Sequence, residues 1–130
     1  MTFRVFIASM LVFSIGTACA AEGGDAAAGK VYFTQTCSQC HSAQSGDGGG
    51  EIGPTLFGLV GRAAGTGDSM FPYTRALKES KLVWNAEALD RFLADPPAAV
   101  PGTAMPMPVL EKKDRENLIA YFISLLASAK

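Results

Sequence analysis

The residues best suited to chemistry in this chain are consecutive: Cys37, Ser38, Gln39, Cys40 and His41. Side chains at i and i+3 of a helical turn share a face. Two sulfurs so placed can each bond one substituent of a single flat molecule, while the adjacent imidazole turns to its centre. Cys-x-x-Cys-His is the attachment pattern of haem c, in which both thiols form thioethers to the porphyrin vinyl groups and the histidine is an axial iron ligand. Other uses of two close cysteines fit less well. A structural zinc site needs about four ligands, and the only further cysteine is Cys19, with no histidine besides His41. A thioredoxin-like dithiol follows a strand in a βαβ unit, and no stretch of this chain reads as a strand pair. A plain disulfide leaves His41 without a role. The pattern occurs once, so the chain holds one haem at most.

A second axial ligand is narrowed by elimination. With a single histidine, two-histidine ligation within one molecule is impossible. Methionine is the usual alternative, because its soft thioether favours ferrous iron and raises the potential. Met70, Met105 and Met107 are the candidates. Methionines in small domains are more often core filler than ligands. Met105 and Met107 stand in Pro101-Gly102-Thr103-Ala104-Met105-Pro106-Met107-Pro108, a stiff, non-helical strap able to hold a sulfur in place. Elimination alone does not choose between them.

The elements that position these groups begin with a segment that belongs to none of them. Arg4, an apolar run over 5–15 and the small-residue exit Ala18-Cys19-Ala20 predict a secretory signal, residues 1–20, cleaved before Ala21 to leave a domain over 21–130. The uncharged stretch 5–21 is 17 residues long, at the lower edge of a bilayer span, so an uncleaved anchor is the weaker alternative. A lipoprotein signal at Cys19 is weaker again, because Gly16 stands where a bulky aliphatic residue is wanted. Cleavage removes Cys19 and Arg4, which takes the net charge from −1 to −2. No basic face is left that would suit nucleic acid. Export of such a chain predicts a periplasmic protein.

Within the domain, Asp25 predicts an N-cap to a helix running to Thr36. A glycine-rich, loop-like stretch follows over 42–69. Short helices are expected over 74–80 and, after Asn85 as N-cap, over 86–94, where Pro96-Pro97 stops the chain. The clearest helix spans 112–127, with Leu118, Tyr121, Phe122, Leu125 and Leu126 on one apolar stripe. Asp114 and Glu116 near its start suit the helix dipole. The result is all-α, three to five helices joined by long loops. Loops of that length count against a compact small domain unless a large apolar cofactor fills the centre.

From Gly24 to about Ala127 the sequence resembles the class I cytochromes c, the mitochondrial type and its bacterial relatives. Gly24-Asp25, Gly29 and Phe33 match that family's first helix, and Leu118 and Tyr121 its last; the resemblance implies that the two cross at the glycine and aromatic contact. Gly53-Pro54-Thr55-Leu56 matches the segment whose proline carbonyl accepts a hydrogen bond from the axial imidazole, here His41. Pro101-Gly102-Thr103-Ala104-Met105 matches the ligand strap and selects Met105 as second ligand, with Met107 as fallback. Arg62, Tyr73, Trp84 and Thr103 fall where relatives hold a haem propionate. The implied protein has a class I cytochrome c fold around one haem c, covalently attached through Cys37 and Cys40. It passes single electrons between weakly and transiently bound redox proteins, a donor and an acceptor, as a monomer and not as an enzyme. A haem enzyme with a loosely held sixth ligand and a dedicated subunit of one oxidoreductase are the rival readings.

The departures from the family pattern are informative. Phe92 stands where a tyrosine commonly bonds the methionine sulfur, and Leu77 where an asparagine joins a buried water network. Thr36, Pro97 and Ala98 replace docking lysines of the mitochondrial type. One residue fewer separates Met105 from Leu118.

Overall fold

Helix α1, Ala26–Thr36, begins where the Asp25 carboxylate accepts the amides of Ala27 and Ala28 at 2.8 and 3.2 Å. These are two of the donors that any helix start leaves unpaired. The computed structural model describes residues 23–49 and 52–127, so the expected signal over 1–20 lies outside the described residues. Two short helices follow at the expected places. Helix α2, Arg75–Glu79, is capped by Thr74, and α3, Ala86–Ala94, by Asn85, whose side chain accepts the Ala88 amide at 2.8 Å.

One expectation needs correction. Pro96-Pro97 ends α3, but it also opens another helix, α4, Pro96–Ala99, with Asp95 as N-cap. Proline is well suited to a first turn, where its missing N–H has no helical partner to lose. Helix α5 then runs Lys112–Ala127, as the periodicity predicts. Among the described residues there are five α-helices and no sheet; an isolated antiparallel bridge joins Ala63 to Val83. None of those helices is long and apolar enough to cross a membrane.

The frame is the crossing of α1 and α5. A Cβ on Gly29 would collide with the Asn117 carbonyl and lie 2.9 Å from the Tyr121 Cβ. Only a bare backbone lets the helices approach this closely. Phe33 then meets Tyr121 at 5.6 Å and Phe122 edge-on at 6.3 Å between ring centroids, spacings at which aromatic rings attract. Leu118 beside them is 0% exposed. The Asp25 N–H donates to the Asn117 side chain at 2.8 Å, tying the start of α1 to the middle of α5.

Candidate functional site

Helix α1 tightens into a single 3-10 turn, Cys37–Gln39, and the amides of Cys40 and His41 both donate to the Cys37 carbonyl at 3.1 and 3.0 Å. This winding brings Cys37, Cys40 and His41 onto the wall of one cavity of about 240 Å³. Both cysteines are half-buried free thiols. Burial, and secondarily the neighbouring Cys40, push the Cys37 thiol up to about 11. It is protonated at neutral pH, unlike the lowered thiols of redox dithiols.

His41 is oriented from behind. Its Nδ1 lies 2.8 Å from the Pro54 carbonyl oxygen; with Nδ1–H donating there, Nε2 keeps its lone pair for a metal. Burial lowers the imidazole pKa against the opposing effect of the Pro54 bond, which favours the neutral, ligating form. Gly53 packs against the ring so tightly that a Cβ would stand 2.5 Å from Cε1 and 2.7 Å from Nδ1. The Leu56 amide bonds the Ser42 carbonyl at 2.7 Å, so the proline segment and the histidine turn are fastened together.

The opposite wall is the strap. Gly102, at φ 93°, turns it, the Thr103 amide bonds the Val100 carbonyl at 3.0 Å, and the Val109 amide bonds the Leu93 carbonyl at 2.7 Å. Met105 and Met107 both line the cavity, and Met70 does not. Met105 is half-buried against the core, whereas Met107 is 59% and Met70 90% exposed. Phe92 and Leu77, the two apolar departures, line the same cavity, and Phe92 packs edge-on against Trp84 at 5.0 Å.

Arg62, Tyr73, Trp84 and Thr103 line it too. The bridge at Ala63 fixes two of them, because the Trp84 amide donates to the Arg62 carbonyl at 2.9 Å. The Arg62 guanidinium donates from Nη1 to the Phe57 carbonyl and from Nη2 to the Thr55 carbonyl, each at 3.0 Å. Its buried Nε–H has no acceptor among the described residues. Such a donor is costly to leave unmade, and it belongs to a side chain that lines the cavity. Tyr73 differs: its hydroxyl proton is committed to the Thr66 carbonyl at 2.8 Å, leaving acceptor capacity rather than a donor for a propionate. The Thr103 hydroxyl accepts the Met105 amide at 3.4 Å and keeps its own proton free to donate. Two thiols, an oriented imidazole, an apolar interior and an unpaired buried donor together fit a haem.

Two positioning residues escaped the sequence reading. Arg115 on α5, 12% exposed, donates from Nε to Asp90 on α3 at 2.7 Å and from Nη1 to the carbonyls of Val109 and Leu110 at 3.0 and 2.8 Å. It therefore clamps the end of the strap. A signal was present: a cation near a helix start opposes the dipole, so it needs partners elsewhere. Asp68 accepts Gly49 N–H at 2.9 Å and the Met70 and Phe71 amides at 3.0 and 3.2 Å, joining two loops. Those bonds, Gly49's foremost, hold its carboxyl below the ordinary value.

Comparison with known proteins covers the chain from α1 to α5. The family model for Cytochrome c matches residues 26–125. Cytochrome c of Gibberella zeae is 43% identical over 100 residues, 76% of this chain and 92% of the relative. The c-type cytochrome cy of Rhodobacter capsulatus is 44% identical over 103 residues, 78% of this chain and 50% of that protein. Among solved structures, cytochrome cH from Methylobacterium extorquens superimposes with a TM-score of 0.70 at 40% identity, covering 78% of this chain and 99% of its own.

Proposed function

The chain belongs to the class I cytochrome c family of electron carriers, and on that premise we propose that it is an exported, single-haem electron shuttle whose iron is held by His41 and Met105. The observation that carries this reading is the convergence on one cavity of Cys37, Cys40, His41, the strap and the unpaired Arg62 Nε–H. Bound haem supplies an iron that takes up or releases one electron at a time. Cys37 and Cys40 hold the porphyrin by thioethers. His41, oriented by Pro54, would supply a nitrogen to that iron, and Met105, the most buried methionine of the three candidates, would supply a sulfur. With both ligands supplied by the protein, substrate would find no place at the metal. Arg62 and Thr103 donate to the propionates, and Trp84, Phe92 and Leu77 keep the distal side dry. Residues 1–20 direct export to the periplasm, where donor and acceptor bind weakly and transiently, since turnover requires release.

The test is the visible spectrum of oxidised variants. Met105→Ala should abolish the far-red sulfur-to-iron band, lower the reduction potential and admit azide or carbon monoxide. Met107→Ala should change none of these. A reversal of the two outcomes overturns the ligand assignment. A denaturing gel that shows no covalent haem in wild type, expressed with haem-attachment machinery, overturns the whole reading.

A further inference from the structure

One carboxylate that does not line the cavity reaches the backbone that orients His41. Oδ1 of Asp68 is spent locally, on the amides of Met70 and Phe71 at 3.0 and 3.2 Å. Oδ2 instead crosses 19 positions to the Gly49 amide at 2.9 Å. There it meets the segment that supports the histidine. Asp68 Oδ2, the Pro54 Cα and the Gly53 carbonyl oxygen crowd one spot, 2.6, 2.7 and 2.8 Å from where a Gly49 Cβ would stand. The His41 ring packs against Gly53, and its Nδ1 lies 2.8 Å from the Pro54 oxygen. Gly53-Pro54 therefore lies beside the imidazole and the carboxylate alike.

A single peptide group connects the two. The Pro54 carbonyl and the Thr55 N–H are its ends. After the N–H groups of Gly49, Met70 and Phe71, that of Thr55 is the fourth backbone donor that holds the Asp68 carboxyl below its ordinary value. An anion at the N–H end of an amide pushes electron density onto the amide oxygen. This is the cooperativity by which chained hydrogen bonds strengthen one another, by about 10–30% per bond. A carboxylate bonded directly to a ligating histidine raises the ring's basicity; here one peptide group stands between them. Arg62 takes the Thr55 carbonyl at 3.0 Å, the next peptide group along, and leaves the Pro54 oxygen to His41.

We propose that Asp68 is a positioning residue for the axial histidine: its carboxylate polarises the Pro54–Thr55 peptide group, makes the Pro54 oxygen a stronger acceptor for His41 Nδ1–H, and so makes Nε2 a stronger donor to a bound iron. The inference rests on the reading of His41 as an iron ligand and adds to it a charge that tunes that ligand. A more electron-rich imidazole favours the ferric state, so Asp68 lowers the reduction potential, whereas a methionine sulfur raises it. The effect needs the charge of Asp68. Fastening two loops needs only an acceptor.

Asp68→Asn separates the two roles, because the amide keeps an oxygen acceptor and loses the charge. In ferrous holoprotein the His41 Nδ1–H resonance, followed by proton–nitrogen NMR, should move upfield, and its exchange with solvent should quicken. The reduction potential at neutral pH should rise. Asp68→Ser, a smaller neutral acceptor, should shift both readings in the same directions. Asp47→Asn removes an equal charge from an exposed carboxylate bonded to Ser42, the neighbour of His41, and should leave the Nδ1–H resonance where it is. If the potential rises in the Asp68 variants while the resonance stays fixed, the carboxylate acts through space alone and the relay is refuted. If neither reading moves, Asp68 only fastens loops. If Asp47→Asn displaces the resonance as far as Asp68→Asn does, the route through Thr55 is not special and the inference fails. In all three cases the carrier reading stands. A wild-type Nδ1–H resonance that oxidation to ferric iron does not displace would show that His41 is no ligand, and the ligand reading and this inference would fall together.

Discussion

Replacing Arg115 by alanine tests whether the methionine strap is held by tertiary clamping rather than by its own stiffness. The substitution deletes the pair with Asp90 and the two bonds to the carbonyls of Val109 and Leu110. Hydrogen bonds to charged groups contribute about 1.5–3 kcal/mol each when both partners are buried. Here the discount is large, because Asp90 is 41% exposed and returns to water readily, as does the carbonyl of the exposed Leu110. The Arg115 stem itself is 12% exposed, so a packing loss adds to the polar one. A net loss of about 2 kcal/mol follows, chiefly from the carbonyl of buried Val109 left without its charged donor and from the lost packing. In a domain of this size that corresponds to a fall in Tm of about 8–16 °C. The site of the loss is the sharper prediction. With Val109 still bonded to Leu93 at 2.7 Å but the strap end released, the far-red band should fade on heating before the helical circular dichroism does. Arg115→Lys, which keeps the charge without the fork, should fall between. If the band and the helices of Arg115→Ala melt together at the wild-type temperature, the clamp has no role and the reasoning is wrong.

Three further outcomes are expected. Gly53→Ala must move either the His41 ring or the Pro54 segment, since its Cβ would lie 2.5 Å from Cε1; haem-stained holoprotein yield and the Soret position should change, and an unaltered spectrum refutes the close packing. Gly29→Ala drives the new methyl into the Asn117 carbonyl and should cost about 1–3 kcal/mol, as overpacking does, measured by denaturant titration of holoprotein. Asp68 has a depressed folded pKa, so its contribution is complete above the unfolded carboxylate value of about 3.9 and is lost as pH falls through the folded value; Asp68→Asn should flatten the acid limb of the stability curve below that pH and leave the neutral region's slope unchanged.

The parts legible in the sequence were those governed by local chemistry. Asp25 and Asn85 announce their helices because a side-chain acceptor next to a helix start satisfies donors that nothing else reaches. The bounds of α5 follow from its periodic stripe. That Cys37, Cys40 and His41 share one cavity wall was readable because side chains at i and i+3 of a helical turn face the same way. Helix α4 was hidden because a proline pair reads as a stop, and only the following backbone reveals that it is also a start. The choice among methionines was not decidable from side-chain chemistry, since the three sulfurs are chemically alike; burial, which separates Met105 from Met70 and Met107, is a tertiary property. Arg115 and Asp68 act across 25 and 19 positions, beyond the reach of any periodicity. The commitment of the Tyr73 hydroxyl to Thr66 likewise depends on how a loop closes, which the resemblance did not convey.

The bond between the Asp25 amide and Asn117 spans 92 positions, and it sets a timetable. Helix α1 has no partner for Gly29 and Phe33 until α5 has been made, so the frame cannot close before Leu118 and Tyr121 have been added to the chain. Cys37 and Cys40 are polymerised well before Leu118, an interval of roughly 4–16 s at ordinary elongation rates. Throughout it the thiols belong to an open chain, without the burial that in the finished fold raises the Cys37 thiol to about 11. The topology thus orders two events, leaving the cysteines accessible early and sealing the cavity around them late. A circular permutant that joined α5 directly to α1 would reverse that order, presenting the closed frame before the attachment turn had been completed.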